Sequence, residues 1–243
     1  MVHTSGHPRS LHHPQHESSR PLMEFRDFCF AYEERPTLSH IDFTIDAGDS
    51  VVLMGDNGSG KSTLLKAMCG LVFPQQGSYL FDGKPVDAQS MRTPAFSKWL
   101  HQRVGFIFQD SDSQLFCASV EEEIAFGPRQ MQLGEDEVAR RVSDVCQLLG
   151  IDHLRGRAPY NLSGGEQKKV AIACVLSMNP DAYCFDERTR EWLLGFLRQL
   201  KGAGKTLVVA THDQSLADEV ADYFVYFGDY HGYEDRPHIH LNR

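Results

Sequence analysis

Short apolar runs alternate with amphipathic segments along most of the chain. The strand candidates, in chain order, are FRDFCFAY, HIDFTID, SVVLM, RVGFIFQ, DAYCFDE, KTLVVATH and DYFVYF. Each is short and apolar enough to be a core strand. Helical patterns such as VARRVSDVCQLLG and REWLLGFLRQL fall between the later runs. This alternation of strands and helices predicts an α/β fold with a mostly parallel sheet covered on both faces.

Three stretches depart from the alternation. Residues 1–22 are rich in His, Ser and Pro and lack both periodicity and the apolar segment of a signal peptide, so we predict a disordered tail. Residues from about 110 to 160 are charge-rich and helical in pattern, which predicts a helical lobe inserted into the sheet domain. Residues 229–243 form a polar C-terminal tail. One domain is therefore expected over residues 23–228.

Composition narrows the function classes. A chain of 243 residues with 41% hydrophobic residues can bury one sizeable core. The formal net charge of −9 argues against a basic nucleic-acid coat, so we expect no nucleic-acid partner. No window approaches the roughly 18 apolar residues that cross a bilayer, so a membrane role needs a partner protein. Six cysteines without C-x-x-C spacing favour reduced core thiols over metal or redox sites.

A phosphate-binding motif follows the run SVVLM. The segment GDNGSGKST fits G-x-x-x-x-G-K-S/T between a strand and a helix, which is the context a P-loop requires. Curled backbone N–H groups and the helix N-terminus would hold phosphates, with Lys61 between the β- and γ-phosphates and the Ser62 hydroxyl on Mg²⁺. The predicted nucleotide-binding residues are Gly55, Asn57, Gly58, Gly60, Lys61, Ser62 and Thr63.

A second candidate helix start carries the segment LSGGEQ. It opens the apolar helix KKVAIACVLSM and would offer further N–H donors to a phosphate. Because the P-loop already holds a nucleotide from one side, the simplest use of this end is to close on a nucleotide held by another copy. An ordinary Ser-Gly helix cap is the alternative. The predicted residues are Ser163, Gly164, Gly165 and Glu166.

With both motifs in order, residues 24–228 resemble the ABC ATPase family, whose signature motif is LSGGEQ. The resemblance implies a P-loop ABC ATPase fold with N-terminal antiparallel strands, and ATP and Mg²⁺ as cofactors. Tyr32 matches the aromatic residue that stacks on adenine, although a packed strand-end tyrosine is the alternative. His212, at the end of KTLVVATH, matches the switch histidine that contacts the γ-phosphate.

The same resemblance places the acid and amide groups of the reaction. Asp186 and Glu187 end the run AYCF, where Asp186 would hold Mg²⁺ and Glu187 would polarise the attacking water. Gln109, at the end of VGFIFQ, matches the glutamine that touches both Mg²⁺ and that water. The implied Mg²⁺ set is Ser62, Gln109 and Asp186, and the implied catalytic set is Glu187, His212 and Gln109.

The segment DSDSQLFCASVEEEIAFGP resembles energy-coupling factor (ECF) importers of cobalt, nickel or vitamins such as biotin. This resemblance implies a transmembrane scaffold protein and a substrate-binding membrane protein as partners, and a peripheral place on the cytoplasmic face of the membrane. Gln114, Leu115 and Phe116 are candidates for the wall of a groove that receives coupling helices, with ordinary core packing as the alternative. Two ATPase subunits, identical or paralogous, would close head-to-tail on two ATP molecules.

One segment departs from the family pattern. Family members continue from the catalytic glutamate through a loop with an aspartate, the D-loop, whereas Arg188 follows Glu187 at once and about seven residues are missing. A real deletion, an error in the sequence and a loop left out of the numbered chain all remain open. Two other functions also remain open: a soluble ABC ATPase without a transport role, and an ATP-binding module with impaired hydrolysis.

The tails give one hint about a transported substrate. Histidine tracts can bind Ni²⁺ or Co²⁺, although a disordered polar tail is the alternative. The eight histidines concerned are His3, His7, His12, His13, His16, His231, His238 and His240.

Overall fold

The computed structural model describes residues 20–108, 115–186, 191–228 and 238–241. The strands are β1 (Met23–Tyr32), β2 (Arg35–Ile45), β3 (Ser50–Gly55), β4 (Gln76–Phe81), β5 (Lys84–Pro85), β6 (Val104–Ile107), β7 (Ala182–Asp186), β8 (Thr206–Ala210), β9 (Tyr223–Phe227) and β10 (His238–Leu241). The helices are α1 (Lys61–Met68), α2 (Ala88–Met91), α3 (Pro94–Arg103), α4 (Val120–Gln130), α5 (Glu135–Leu149), α6 (Gly164–Met178), α7 (Glu191–Gly202) and α8 (Gln214–Val220).

The main sheet has the order β10-β9-β3-β8-β7-β6, and all its described pairs are parallel. Its inner strands are apolar at successive positions because both faces are covered. In β3, Val52 and Met54 pack into a core with helices α4 to α8, whereas Val51 and Leu53 pack into a second core with α1 and α3. The period-two alternation of side chains thus divides one strand between two cores.

A smaller antiparallel sheet, in the order β2-β1-β4-β5, completes the second core. Its inward side chains are aromatic and aliphatic. Phe25 stacks on Phe43 with ring centroids 5.0 Å apart and on Tyr79 at 4.4 Å. These cross-strand aromatic contacts stabilise the pairing of β1 with both β2 and β4.

Helices α4 and α5 pack with α6 on the other side of the main sheet. In α5, Val138, Val142, Val145 and Leu149 are buried at helical spacing, which explains the amphipathic pattern. The described residues 115–161 contain no strand. The limits of the predicted helical lobe, like those of the two tails, stay predictions.

The α/β fold with a parallel sheet and an antiparallel sheet is confirmed. The sequence pattern did not predict the strands β4, β5 and β10 or the helices α2, α3 and α8. A glycine at position 77 interrupts the apolar pattern of β4, and the alternating segment HIHL has only four residues, too few to predict a strand, although it pairs with β9. The six cysteines are free thiols, and Cys69, Cys146 and Cys184 are buried. Among the described residues no helix is long and apolar enough to cross a membrane.

Candidate active site

The P-loop joins the end of β3 to the start of α1, and its path depends on glycine. Gly60 has φ +111, and a Cβ there would lie 2.9 Å from the carbonyl oxygen of Thr37 and 3.0 Å from a methyl group of Leu38. Gly60 is also the N-cap of α1, and no side chain caps this helix. The N–H groups of the first turn are therefore left for a ligand, as at other anion-binding helix N-termini.

Lys61 folds back over its own loop. Its Nζ donates to the carbonyl oxygen of Gly55 at 2.6 Å and to that of Asp56 at 2.8 Å. Burial lowers the pKa of Lys61, and the charges of Asp186 and Asp56 act in the opposite direction. The ammonium group thus lies above the loop where phosphate oxygens would replace the two carbonyls as partners.

A cavity of about 180 Å³ opens beside the loop. Since β3, β8 and β7 are parallel neighbours, their carboxyl ends meet at one edge of the sheet and bring distant segments into this cavity. The lining residues are Thr37, Asn57, Gly58, Gly60, Lys61, Ser62, Thr63, Asp186, Ala210, Thr211 and His212. The predicted P-loop residues from Asn57 onward therefore share one cavity with Asp186 and His212.

Three lining residues were not predicted from the sequence. Ala210 and Thr211 precede His212 at the end of β8, and their nearness follows once His212 is placed there. Thr37 belongs to β2 and reaches the cavity because its carbonyl oxygen packs against the Gly60 turn. No local signal marks Thr37, since the crossing of β2 over the P-loop is a tertiary contact.

Tyr32 ends β1 and is 44% exposed. Its ring meets Phe30 edge-on, with centroids 4.8 Å apart. It is not among the residues that line the P-loop cavity. The exposed ring leaves room for a stacked base, but its adenine contact stays a prediction.

The signature segment forms a different kind of helix start. The Ser163 Oγ accepts from the N–H of Glu166 at 3.4 Å, and the Glu166 carboxylate accepts from the N–H of Ser163 at 2.8 Å. This capping box pairs the backbone N–H groups of Ser163 and Glu166, and the hydrogen bonds from Ser163 lower the pKa of Glu166. Ser163 and Gly164 are exposed, and Ser163, Gly165 and Glu166 line a second cavity. The structure does not bring them into the P-loop cavity.

Comparison with known proteins identifies the family. The ABC transporter family profile matches residues 38–190, a range that contains both motifs. The chain belongs to the ABC transporter family. The nickel import ATP-binding protein LarO of Lactiplantibacillus plantarum is 40% identical over 217 residues, which cover 86% of this chain and 90% of LarO.

Two further relatives extend the comparison. The energy-coupling factor transporter ATP-binding protein EcfA2 of Methanospirillum hungatei is 39% identical over 83% of this chain, which spans 52% of EcfA2. The structure of CbiO1 from Clostridium perfringens, described as part of the ABC transporter complex CbiONQ, matches with a TM-score of 0.74 and 32% identity. That match covers 86% of this chain and 85% of CbiO1. The family, the fold and the ATPase class predicted from the sequence are confirmed.

Several ABC positions lie outside the described residues. These are Gln109, Gln114 and Glu187, together with the short connection after Glu187. Leu115 packs against the core, whereas Phe116 is 69% exposed and meets the ring of Phe126 edge-on at 5.1 Å. Of the two described groove candidates, Phe116 is the one that presents its side chain to solvent.

Proposed function

We propose that this ABC ATPase hydrolyses ATP with Mg²⁺ to drive an ECF-type importer of a nickel or cobalt cation. The observation that carries the proposal is the single cavity shared by the P-loop, Asp186 and His212. The names of the nickel importer LarO and the energy-coupling factor protein EcfA2 support the transport class. A vitamin such as biotin is the second candidate substrate.

The phosphate end of ATP would lie on the P-loop. The N–H groups at the start of α1 and the ammonium of Lys61 would bind the β- and γ-phosphates. The donor set fits Mg²⁺, because the hydroxyl of Ser62 and the carboxylate of Asp186 line the same cavity and Mg²⁺ prefers oxygen ligands. Bound there, Mg²⁺ would neutralise charge on the phosphates. Gln109 would complete this set.

Hydrolysis would depend on positioning and charge stabilisation. Glu187 would accept a proton from the attacking water, and His212 would contact the γ-phosphate from the end of β8. Asp186 ends β7, which lies next to β8 in the sheet. Glu187 is the next residue in sequence, so the proposed acid and the imidazole of His212 come directly after or near the ends of adjacent strands. This arrangement supports a water attack at the γ-phosphate.

Two copies would close head-to-tail, each P-loop facing the signature helix of the other. The exposure of Ser163 and Gly164 supports this arrangement, as does the separation of the signature segment from the P-loop cavity. The partner would be a second copy in a homodimer or a paralogue in a heterodimer. Either would supply helix N–H groups that one chain does not direct at its own P-loop.

A transmembrane scaffold protein would dock near Phe116 and Phe126. Two exposed aromatic rings in contact form an apolar surface next to α4, and such surfaces receive amphipathic helices. The scaffold would hold a substrate-binding membrane protein and keep this ATPase on the cytoplasmic face of the membrane. ATP-driven closure would then be transmitted through the helices around α4.

The test compares two aspartates at opposite ends of β7, Asp186 as its last residue and Asp181 just before its first. Asp186→Asn should abolish Mg²⁺-dependent hydrolysis in the complex reconstituted with its membrane proteins. Asp181→Asn is the control, because Asp181 precedes β7 at its other end and pairs with Arg103. Equal hydrolysis by both variants would contradict the proposed site. ATP binding with negligible turnover by the wild-type complex would instead favour the hydrolysis-impaired module.

The substrate is tested in vesicles that contain the same complex. ATP-driven uptake of nickel or cobalt, lost in Asp186→Asn, is the expected result. Uptake of biotin without either cation would assign the vitamin class. Full ATPase activity without association with membrane proteins would favour the soluble ABC ATPase.

A further inference from the structure

The antiparallel sheet is irregular in one region, where the pairing of β1 with both β2 and β4 shifts. Between the pairs Phe25–Phe43 and Phe28–Ile41, β1 has one residue more than β2, and between Phe28–Ile41 and Phe30–Leu38 the extra residue is in β2. The pairing of β1 with β4 shifts at the same place. Two bulges on opposite strands thus lie side by side, and bulges redirect side chains.

The bulges gather three potential metal ligands. Asp27 and His40 have φ of +48° and +51°, in the left-handed region that aspartate and histidine tolerate better than most residues. The Asp27 carboxylate, the Cys29 thiol and the His40 imidazole each have a ligating atom within 4.8 Å of the other two. Asp27 and Cys29 are half-buried and His40 is exposed, so the cluster opens to solvent.

The three groups already contact one another. His40 Nδ1 and Asp27 Oδ1 share a hydrogen bond of 2.6 Å, and the backbone N–H of His40 donates to the Cys29 sulfur at 3.1 Å. Gln76 donates from Nε2 to the second carboxylate oxygen of Asp27 at 2.7 Å. The hydrogen bonds from His40 and Gln76 lower the pKa of Asp27, which keeps its carboxylate ionised. A fixed, ionised carboxylate is a suitable first ligand.

The spacing is close to that of a tetrahedral ion. Bonds of about 2.0–2.3 Å place tetrahedral donors about 3.3–3.8 Å apart. The Asp27–His40 pair would open by about 1 Å when a metal replaces the shared proton, and the thiol would approach by a similar amount. The backbone would keep its bulges.

We propose that Asp27, Cys29 and His40 form a site for a borderline first-row divalent cation such as Zn²⁺, with a water molecule as fourth ligand. One sulfur, one nitrogen and one oxygen donor favour Zn²⁺, Co²⁺ or Ni²⁺ over Mg²⁺, which prefers oxygen ligands alone. The site uses none of the nucleotide-binding residues, so it stands apart from the proposed transport function. Cys29 departs from the core-thiol role expected from cysteine spacing.

The test uses Co²⁺ as a spectroscopic probe of the reduced full-length protein. Co²⁺ added in excess over the eight tail histidines should produce a near-ultraviolet sulfur-to-cobalt charge-transfer band, and Zn²⁺ should displace it. Histidines of the two tails cannot produce this band, because residues 1–22 and 229–243 contain no cysteine. Cobalt bound without the sulfur band, or no binding, would overturn the proposal.

Three variants assign the ligands. Cys29→Ser should abolish the band, whereas Cys117→Ser, which alters another partly exposed thiol, should keep it. His40→Asn should weaken Co²⁺ binding at least about tenfold, and asparagine tolerates the left-handed backbone. Far-ultraviolet circular dichroism confirms that each variant is folded. A band that persists in Cys29→Ser, or unchanged affinity in folded His40→Asn, would refute the assigned ligands.

Discussion

The helices α1 and α6 both begin at glycine-containing motifs that are predicted to bind phosphate, yet their glycines are under different steric constraints. Gly60 adopts φ +111, and a Cβ there would meet the backbone of β2 at 2.9 Å. Gly164 does not have a positive φ, and a Cβ there would meet nothing within 4 Å. The chain itself therefore requires glycine at the P-loop. Nothing within the described chain requires it at the signature helix.

The two helices also differ in whether a side chain of the chain itself caps the first turn. No side chain caps α1, so its first N–H groups await a ligand, whereas Ser163 and Glu166 cap α6 reciprocally. The P-loop is a binding site shaped by contacts within one chain. The signature helix is capped by its own side chains, and its small exposed residues leave space for a group from outside the chain. The proposed facing P-loop of a second subunit fits that space.

The largest expected effect comes from removing the ammonium group of Lys61 while leaving the backbone of the P-loop in place. Lys61→Ala should reduce ATP hydrolysis about 10²- to 10³-fold, because a preorganised donor to the phosphates is lost. Lys66→Ala, in the last turn of the same helix, is the matched control. Steady-state ATPase rates measure both. If both variants lose ATPase activity to a similar extent, the lysines act by stabilising α1 and the ammonium group of Lys61 has no specific role at the phosphates.

The signature helix should show lost activity without lost stability. Gly164→Ala is expected to reduce hydrolysis by the assembled complex by about 10²-fold, because a methyl group would displace the facing nucleotide by an ångström or so. The free energy of unfolding of the isolated subunit should change by less than about 0.5 kcal/mol, as for an exposed site. Denaturant unfolding and ATPase assays measure the two quantities. Unimpaired hydrolysis would contradict the head-to-tail arrangement.

The P-loop glycine should behave in the opposite way. Gly60→Ala should lower the free energy of unfolding by about 1–3 kcal/mol, because alanine is strained at φ +111 and crowds the Thr37 carbonyl. Gly134→Ala is the control, since Gly134 is the N-cap of α5 at φ −64 with no close neighbour for a Cβ. Urea unfolding compares them. Equal stability of the two variants would remove the contrast between the P-loop and signature glycines.

The smallest effect concerns the capping box of α6. The lowered pKa of Glu166 means that its ionised form favours the folded state. The wild type should therefore have a larger free energy of unfolding than Glu166→Gln at pH values above 4.5, the ordinary pKa of a glutamate. This advantage should be lost as the pH falls through the lowered pKa that Glu166 has in the folded state. Urea midpoints at about pH 7 and about pH 3 measure this difference.

A matched pair sharpens the test of the box. Glu122 has the same spacing from Ser119 on α4, where the serine accepts from the N–H of Glu122 but no reciprocal box is formed. Glu122→Gln should show a smaller pH-dependent difference than Glu166→Gln. If both variants show the same pH-dependent loss of stability, the cause is the position of the glutamate in the first turn of its helix and the reciprocal capping box contributes nothing.

Much of the fold followed from local pattern. The runs that became β3, β7, β8 and β9 are apolar at successive positions because both faces of each strand are buried. The segments that the analysis missed carry weaker signals. Strand β4 contains Gly77, and polar β10 lies at the edge of the sheet. Local pattern reports burial, so elements with one exposed side or edge are harder to identify.

The residues of the candidate site also differ in whether local sequence predicts them. The motif GDNGSGKST and the segment LSGGEQ are each made of consecutive residues. Residue type and spacing were therefore enough to predict their chemistry. Thr37 carries no motif, and its place at the cavity depends on how β2 crosses the P-loop. The cluster of Asp27, Cys29 and His40 likewise appears only when two bulges fall opposite each other.

The sequence by itself determined the phosphate-binding loop, the signature helix and the apolar strands, because each depends on contacts between residues close along the chain. The tertiary structure alone decided which strands are neighbours. That order places Asp186 and His212 at one sheet edge with Lys61, although the three lie far apart in sequence. Strand order reflects the packing of the two cores against opposite faces of the sheet, a property of the whole chain that no single segment contains.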